Sequence, residues 1–212
     1  MPAGEDRDVR RWETCGQAWI GVMRHVWTAG EAGMEDTGPI IEGPPVLFEI
    51  GSLSWEDPIL REHGDRARLE RRARERDGRT GRGRHWSRLH DLQGHDQICW
   101  VVRLLRARPW TTSAWISLTI PGEPADGLPA LTALSFRVRG YRLFMTAMFR
   151  SQNVHRAYLA YIPLREVQLQ VADELGLPSG PLRVFVDVPH IHVADAERVA
   201  SVLAAVPEPN AA

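Results

Sequence analysis

Apolar and polar positions along this chain recur with two different periods, and each period predicts an element. From Trp12 to about Ala29, the residues Cys15, Ala18, Trp19, Val22, Met23 and Val26 follow helical spacing. Gly30 and Gly33 then stop the helix. Val46, Phe48 and Ile50 alternate, so Pro44 to Ile50 reads as a strand entered through two prolines. Mixed charge at helical spacing predicts a solvated helix from Asp65 to Asp77. Asp96 to Arg108 places Ile98, Val101, Val102 and Leu105 on one stripe, and Pro109 closes that helix. A strand over Ser113–Leu118 precedes a hairpin, Leu131–Val138 and Tyr141–Phe149, turning at Arg139-Gly140. A helix from about Val154 to Leu175 ends at Gly176, a strand follows over Leu182–Val188, and a helix over Ala194–Ala205 closes the chain. The pattern is α+β with a mostly central sheet. It predicts a frayed arm over residues 1–11 and a single domain over 12–212.

Composition narrows the function classes. The 212 residues carry a formal net charge of −1, which gives no global field for nucleic acid or membrane. No apolar run approaches the roughly 20 residues that a membrane span needs. Met1 to Arg11 is polar with no apolar stretch, so no signal peptide is expected. The two cysteines, Cys15 and Cys99, lie far apart, which fits a reducing cytoplasm, and both read as small core residues. All 26 basic residues counted as Lys or Arg are arginine, so Schiff-base lysine chemistry and a Walker lysine are excluded. Leu60 to Arg88 is dense in arginine, with a basic loop at Thr80–Arg84. Interleaved acids dilute its field and Trp86 alone lies near it, so a nucleic-acid partner is not expected.

The chemistry concentrates between Phe149 and His192. A strand delivers Arg150 and Ser151, a helix crosses over, and a second strand delivers His190 and His192. Side chains two apart on a strand share a face, so both imidazoles can enter one cavity. An Arg, a Ser, Asn153 and two imidazoles at neighbouring strand ends suit an anion or a polyol. Arg150 can instead cap a strand end in a surface ion pair, and Ser151 can cap the helix that follows. A chelate of His190 and His192 with Asp187 or Asp195 is a further possibility, although a regular strand turns Asp187 away. No metal is expected on this reading.

These elements resemble the thymidylate synthase and pyrimidine hydroxymethylase superfamily from roughly Arg84 to Val193, and more faintly from Trp12. Asp96-Gln97 opens a helix that Pro109 closes, a hairpin precedes Arg150-Ser151, and His190-Ile191-His192 stands where the family has His-x-Tyr. The short length is similar to the family's compact branch. The resemblance implies a thymidylate synthase-like fold, a central mixed sheet packed by helices, and a homodimer formed sheet to sheet. It implies that Arg150 and Ser151 hold an anion, that His190 and His192 bind a sugar-like hydroxyl, and that Trp86 lines the pocket beside His85. It also implies that Asn153 and Ala157 contact a folate and that Tyr161 meets the substrate edge.

The departures from the family redirect the chemistry. The nucleophilic cysteine falls on Ala130, which cannot add to a pyrimidine ring. The cross-interface arginine pair falls on Thr112 and Ser113, and the Arg-Thr-Gly phosphate loop on Asp36-Thr37-Gly38. Thymidylate synthesis is therefore not expected, nor is a phosphorylated ligand. The expectation is a one-carbon (methyl or hydroxymethyl) transferase that works without a cysteine nucleophile, in specialised or natural-product metabolism. Its substrate is a non-phosphorylated, electron-rich heteroaromatic or amine, its donor is methylenetetrahydrofolate, and His190 or His155 carries protons. The alternative is a catalytically inactive member that binds a small molecule or a partner protein.

Overall fold

A computed structural model of the chain describes residues 9–65, 67–68, 70–71, 84–124 and 128–207, with the side chains of 84–86 excepted. The helix expected over Asp65–Asp77 falls largely outside the described residues, as does the basic loop before Arg84.

One long strand is the spine. β8 (Ser179–His192) runs parallel to β7 (Arg142–Asn153) on one side and antiparallel to β4 (Val46–Ser52) on the other. The sheet order is β1-β4-β8-β7-β6-β5, with β1 at Arg10–Thr14, β5 at Trp115–Ser117 and β6 at Leu131–Arg139. The far end of β8 takes a different neighbour. The hairpin of β2 (Glu31–Glu35) and β3 (Gly38–Glu42) docks there, pairing Ile40 with His192 and Glu42 with His190.

Helix α1 (Cys15–Ala29) and helix α5 (Tyr158–Leu175) pack on one sheet face. Trp19, Ile20, Phe48, Ile50 and Tyr161 are fully buried between them. Each aliphatic or aromatic side chain removed from water there contributes on the order of 2 kcal/mol. Tyr161 meets Phe48 and Phe149 edge-on, at 5.8 and 6.3 Å. Among the described residues the opposite sheet face has no such cover: Leu47 and Trp115 are exposed, and Phe144, Thr146, Met148 and Phe185 are half-buried.

Several boundaries differ from the sequence reading for local reasons. Residues 10 and 11 are not part of a frayed arm: Arg10 and Arg11 open β1, paired with Phe48 and Glu49. The helix begins at Cys15 rather than Trp12, because Thr14 accepts from the Gln17 amide while the Gln17 side chain returns to Thr14, a capping box. The hairpin turns one residue later than expected, at Gly140 and Tyr141. Both have positive φ, as a tight two-residue turn requires. Among the described residues, shorter helices complete the chain: α2 (Pro58–His63), α3 (Arg84–His90) and, after α4 (Gln97–Ala107) and α5, the closing α6 (Ala196–Ala205). Of the described helices after α1, those at α4, α5 and α6 were expected, and α2 and α3 were not.

Asp57 ties two of these helices together. Its carboxylate caps α2 through the amides of Ile59 and Leu60 and also accepts from the Gly16 amide at 2.8 Å. A Cβ on Gly16 would lie 2.2 Å from Asp57 Oδ1, so only glycine admits this contact.

Candidate functional site

The end of β8 gathers the chemistry. His190 and His192 do share a face, with ring centroids 5.1 Å apart. His190 is buried, and its Nδ1 lies 3.3 Å from both Ser151 Oγ and the Val188 carbonyl. A carbonyl only accepts, so Nδ1 carries the proton and Nε2 presents a lone pair. Burial drives the His190 imidazole below its ordinary range, outweighing the upward pull of Glu35.

Glu35, at the tip of the β2–β3 hairpin, completes the cluster. Its Oε2 lies 3.6 Å from His190 Nε2 and 3.5 Å from His192 Nε2. The sheet register explains the meeting. Gly33, Ile40 and His192 form one row, Glu31, Glu42 and His190 the next, and Glu35 is two residues from Gly33 on the same face. Gly38, opposite Glu35, offers no side chain in the way, and its φ of +129° makes the turn. The sequence reading had placed Asp36-Thr37-Gly38 near the site but missed the glutamate before it.

Arg150 connects to this cluster through its neighbour Ser151. Its backbone amide donates to the Ala130 carbonyl at 3.0 Å. Its guanidinium donates to the carbonyls of Pro129 and Leu128, at 3.1 and 3.2 Å. A backbone hydrogen bond, a peptide bond and side-chain contacts thus link Ala130, Arg150, Ser151, His190 and His192 in turn, with Ala130 and Arg150 exposed. Arg150 does partly structural work in that run, by holding the loop that carries Ala130.

A second cluster surrounds Asp195. His155 Nδ1 lies 3.5 Å from Asp195 Oδ2, Arg156 lies 3.6 Å from Oδ1, and Asn153 Nδ2 donates to Oδ2 at 3.4 Å. Partial burial pushes the Asp195 carboxyl up. The Asn153 amide, His155 and Arg156 outweigh it and hold that carboxyl below the ordinary carboxylate range. Burial likewise drives His155 below its ordinary range, against the pull of Asp195. A polar cavity of about 40 Å³ opens beside it, lined by His63, Asp65, Arg68, Arg156, Tyr158 and Arg198.

Other expectations need correction. Tyr161 is fully buried and donates its hydroxyl to Gln152 Oε1 at 2.7 Å, so it holds the floor behind the site and does not reach a substrate edge. Ala157 is buried under the start of α5 and offers no surface to a cofactor. Asn153 spends its side chain internally, Oδ1 on the His155 amide and Nδ2 on Asp195. The two residues named for a folate therefore do not fit that role. Asp187 is exposed and Asp195 is engaged with His155 and Arg156, so neither completes a chelate with the two histidines. The side chains of His85 and Trp86 lie outside the described residues. Cys15 is buried, and burial, reinforced by Asp57, pushes its thiol far up, away from nucleophilic use. Cys99 is exposed, not a core residue. It borders an open groove of about 1110 Å³ between α4 and the sheet, together with Trp100, Trp115 and Met148. Among the described residues, no helix is long and apolar enough to cross a membrane.

No family model matches the chain. It is similar to curated proteins named putative thymidylate synthase. The protein of Methanococcoides burtonii is 23% identical over 90% of this chain and 92% of its own length. That of Methanosarcina mazei is 21% identical over 91% and 93%. That of Methanosarcina acetivorans is 22% identical over the same shares. Similarity at this level along nine-tenths of both chains, together with the mixed sheet and its helices, supports a thymidylate synthase-like family.

Proposed function

We propose that this protein is a thymidylate synthase-like one-carbon transferase that works without a cysteine nucleophile. Its substrate is a non-phosphorylated, electron-rich heteroaromatic or amine of specialised metabolism. The observation that carries this reading is the run from Ala130 through Arg150 and Ser151 to His190. Arg150 and Ser151 follow one another on the strand that pairs beside Ala130, a position that bears no thiol, in a chain whose relatives are named putative thymidylate synthases. A substrate whose carbon or nitrogen is already nucleophilic needs no covalent activation. Glu35 facing the histidines argues further against a phosphate there, because a carboxylate repels an anion.

The chain's own groups would bind the substrate through Ser151, His190 and His192, and would accept the proton it loses as the new bond forms. His190 and His155 suit that step, since burial favours their neutral forms and each then offers a lone pair near neutral pH. The donor is proposed by class alone, a reduced folate. Asn153 and Ala157 do not present free groups to it, so no step is assigned through the cofactor. The uncovered sheet face, with Leu47, Trp115 and Met148, supports a homodimer formed sheet to sheet, which light scattering on the purified protein would measure.

The test combines binding with turnover. Purified protein is titrated with methylenetetrahydrofolate by tryptophan fluorescence. It is then incubated with that folate and a panel of amino- and hydroxypyrimidine nucleosides and free bases, with products followed by mass spectrometry. Saturable binding and a product heavier by one methyl or hydroxymethyl group are expected, with Cys99→Ser as active as wild type. No binding of any reduced folate and no product would overturn the proposal. Binding with no product would place the chain among inactive ligand-binding members.

A further inference from the structure

We infer that Glu35, His190 and His192 form a binding site for a divalent transition-metal ion, with zinc the best match. Each residue offers one ligand atom, and the three atoms lie within 4.8 Å of one another. Two ligands at about 2.0–2.1 Å from zinc, subtending a tetrahedral angle, stand about 3.4 Å apart. The separations from Glu35 Oε2 to the two imidazole nitrogens, 3.6 and 3.5 Å, are close to that value.

Proton placement points the same way. The Val188 carbonyl fixes the His190 proton on Nδ1, so Nε2 turns a lone pair toward the oxygen of Glu35. A metal ion between them would be bound by that nitrogen and that oxygen at once. The surroundings resemble the outer shell of a metal site. His190 Nδ1 is oriented by a backbone carbonyl and Ser151, and Glu35 Oε2 accepts from Thr37 Oγ1 at 3.2 Å. The His190 side chain is buried, whereas those of His192 and Glu35 remain 23% and 33% exposed. Three protein ligands with one open approach are the arrangement of a metal that also takes water or a substrate heteroatom.

This inference does not rest on the transferase reading, but it sharpens it. With an ion bound, His190 and His192 are ligands and the proton-carrying role passes to His155. The open position would then receive a heteroatom or hydroxyl of the substrate, a neutral group in place of a phosphate.

Protein carrying no polyhistidine tag, stripped with a chelator, is titrated with zinc sulfate by calorimetry, and its metal content is measured after gel filtration. One zinc per chain is expected. Glu35→Gln and His192→Ala should each weaken binding at least about tenfold, the lower end for losing a supporting group of a metal site. Cobalt(II) in place of zinc should give the intense visible bands of tetrahedral coordination. Glu35→Gln alters a partly exposed hairpin tip, so its metal-free melting temperature should match wild type and separate ligand loss from misfolding. Absence of stoichiometric zinc, or wild-type affinity in Glu35→Gln, would overturn the site. An octahedral cobalt spectrum would overturn its assignment to zinc.

Discussion

Two carboxylates reach β8, one from the adjacent strand β4 and one from the tip of the β2–β3 hairpin, and they meet opposite surroundings. Glu49 on β4 is 1% exposed and sits between two arginines, with Arg183 Nε at 2.5 Å and Arg11 Nε at 2.7 Å. Arg183 is held in turn over the Phe144 ring, 5.6 Å from its centroid. Glu35 is partly open and faces two imidazoles. Guanidinium stays charged at any physiological pH, so both Glu49 oxygens remain committed to cationic partners within the sheet. Imidazole can be neutral, which leaves Glu35 able to share its charge with a ligand. The partner's chemistry therefore separates scaffold from site more sharply than burial does. Asp195 is an intermediate case, with one imidazole, one guanidinium and an amide around it.

Substitutions along this series should grade accordingly. Glu49→Ala should have the largest effect. It leaves Arg183 without its carboxylate inside the sheet and should cost about 3 kcal/mol, the low end for a broken buried pair because Arg11 is half exposed. A urea titration would measure it, and a loss below about 1 kcal/mol would place Glu49 with ordinary surface pairs.

Asp195→Asn should cost less, about 1 kcal/mol at neutral pH, and its acid profile is the more telling result. The folded-state pKa of Asp195 is depressed. Its contribution is therefore present above the ordinary carboxylate value and is lost as pH falls through the folded value. The pKa of His155 is also depressed. The unfolded chain takes up a proton that the folded one resists, so stability declines as pH falls through about 6.5. Wild type should then lose stability in two steps on acidification. Asp195→Asn should abolish the lower step and deepen the upper one, because His155 loses the carboxylate that pulls its pKa up. Melting temperatures measured from pH 8 to pH 3 would show an unchanged upper step if the two groups do not interact.

Glu35→Gln in metal-free protein should have the smallest effect, within about 0.5 kcal/mol of wild type. A large loss in the same urea titration would make Glu35 a second Glu49 and erase the contrast.

The residues that made the strongest periodic signals were the ones read correctly. α4 with its Ile98-Val101-Val102-Leu105 stripe, the β6–β7 hairpin and the end of α5 at Gly176 all formed close to where the sequence puts them. The β2–β3 hairpin escaped notice because only Ile40 among its ten paired positions is buried and two glycines and a proline interrupt it. Its glutamate was hidden with it, since Glu35 becomes part of a cluster only through pairing of β3 with the end of β8. That end was itself read too short: β8 continues past Pro189, where a proline argues against strand. Tyr161 was misplaced for another reason. Position in the chain cannot tell a tyrosine that lines a pocket from one that braces the strand behind it, as the Gln152 bond does.

The shape of the β2–β3 turn has a consequence for how this protein could be altered. Its two-residue bend, Asp36-Thr37, closes at Gly38 with an open outer side, and nothing stands within 4 Å of where a Gly38 Cβ would be. The imidazoles belong to the spine, where a slip of one residue would turn both away and break the sheet with them. The acid belongs to a detachable fingertip. Grafting new bends onto the hairpin would therefore change what faces the imidazoles while leaving the strand that carries them untouched.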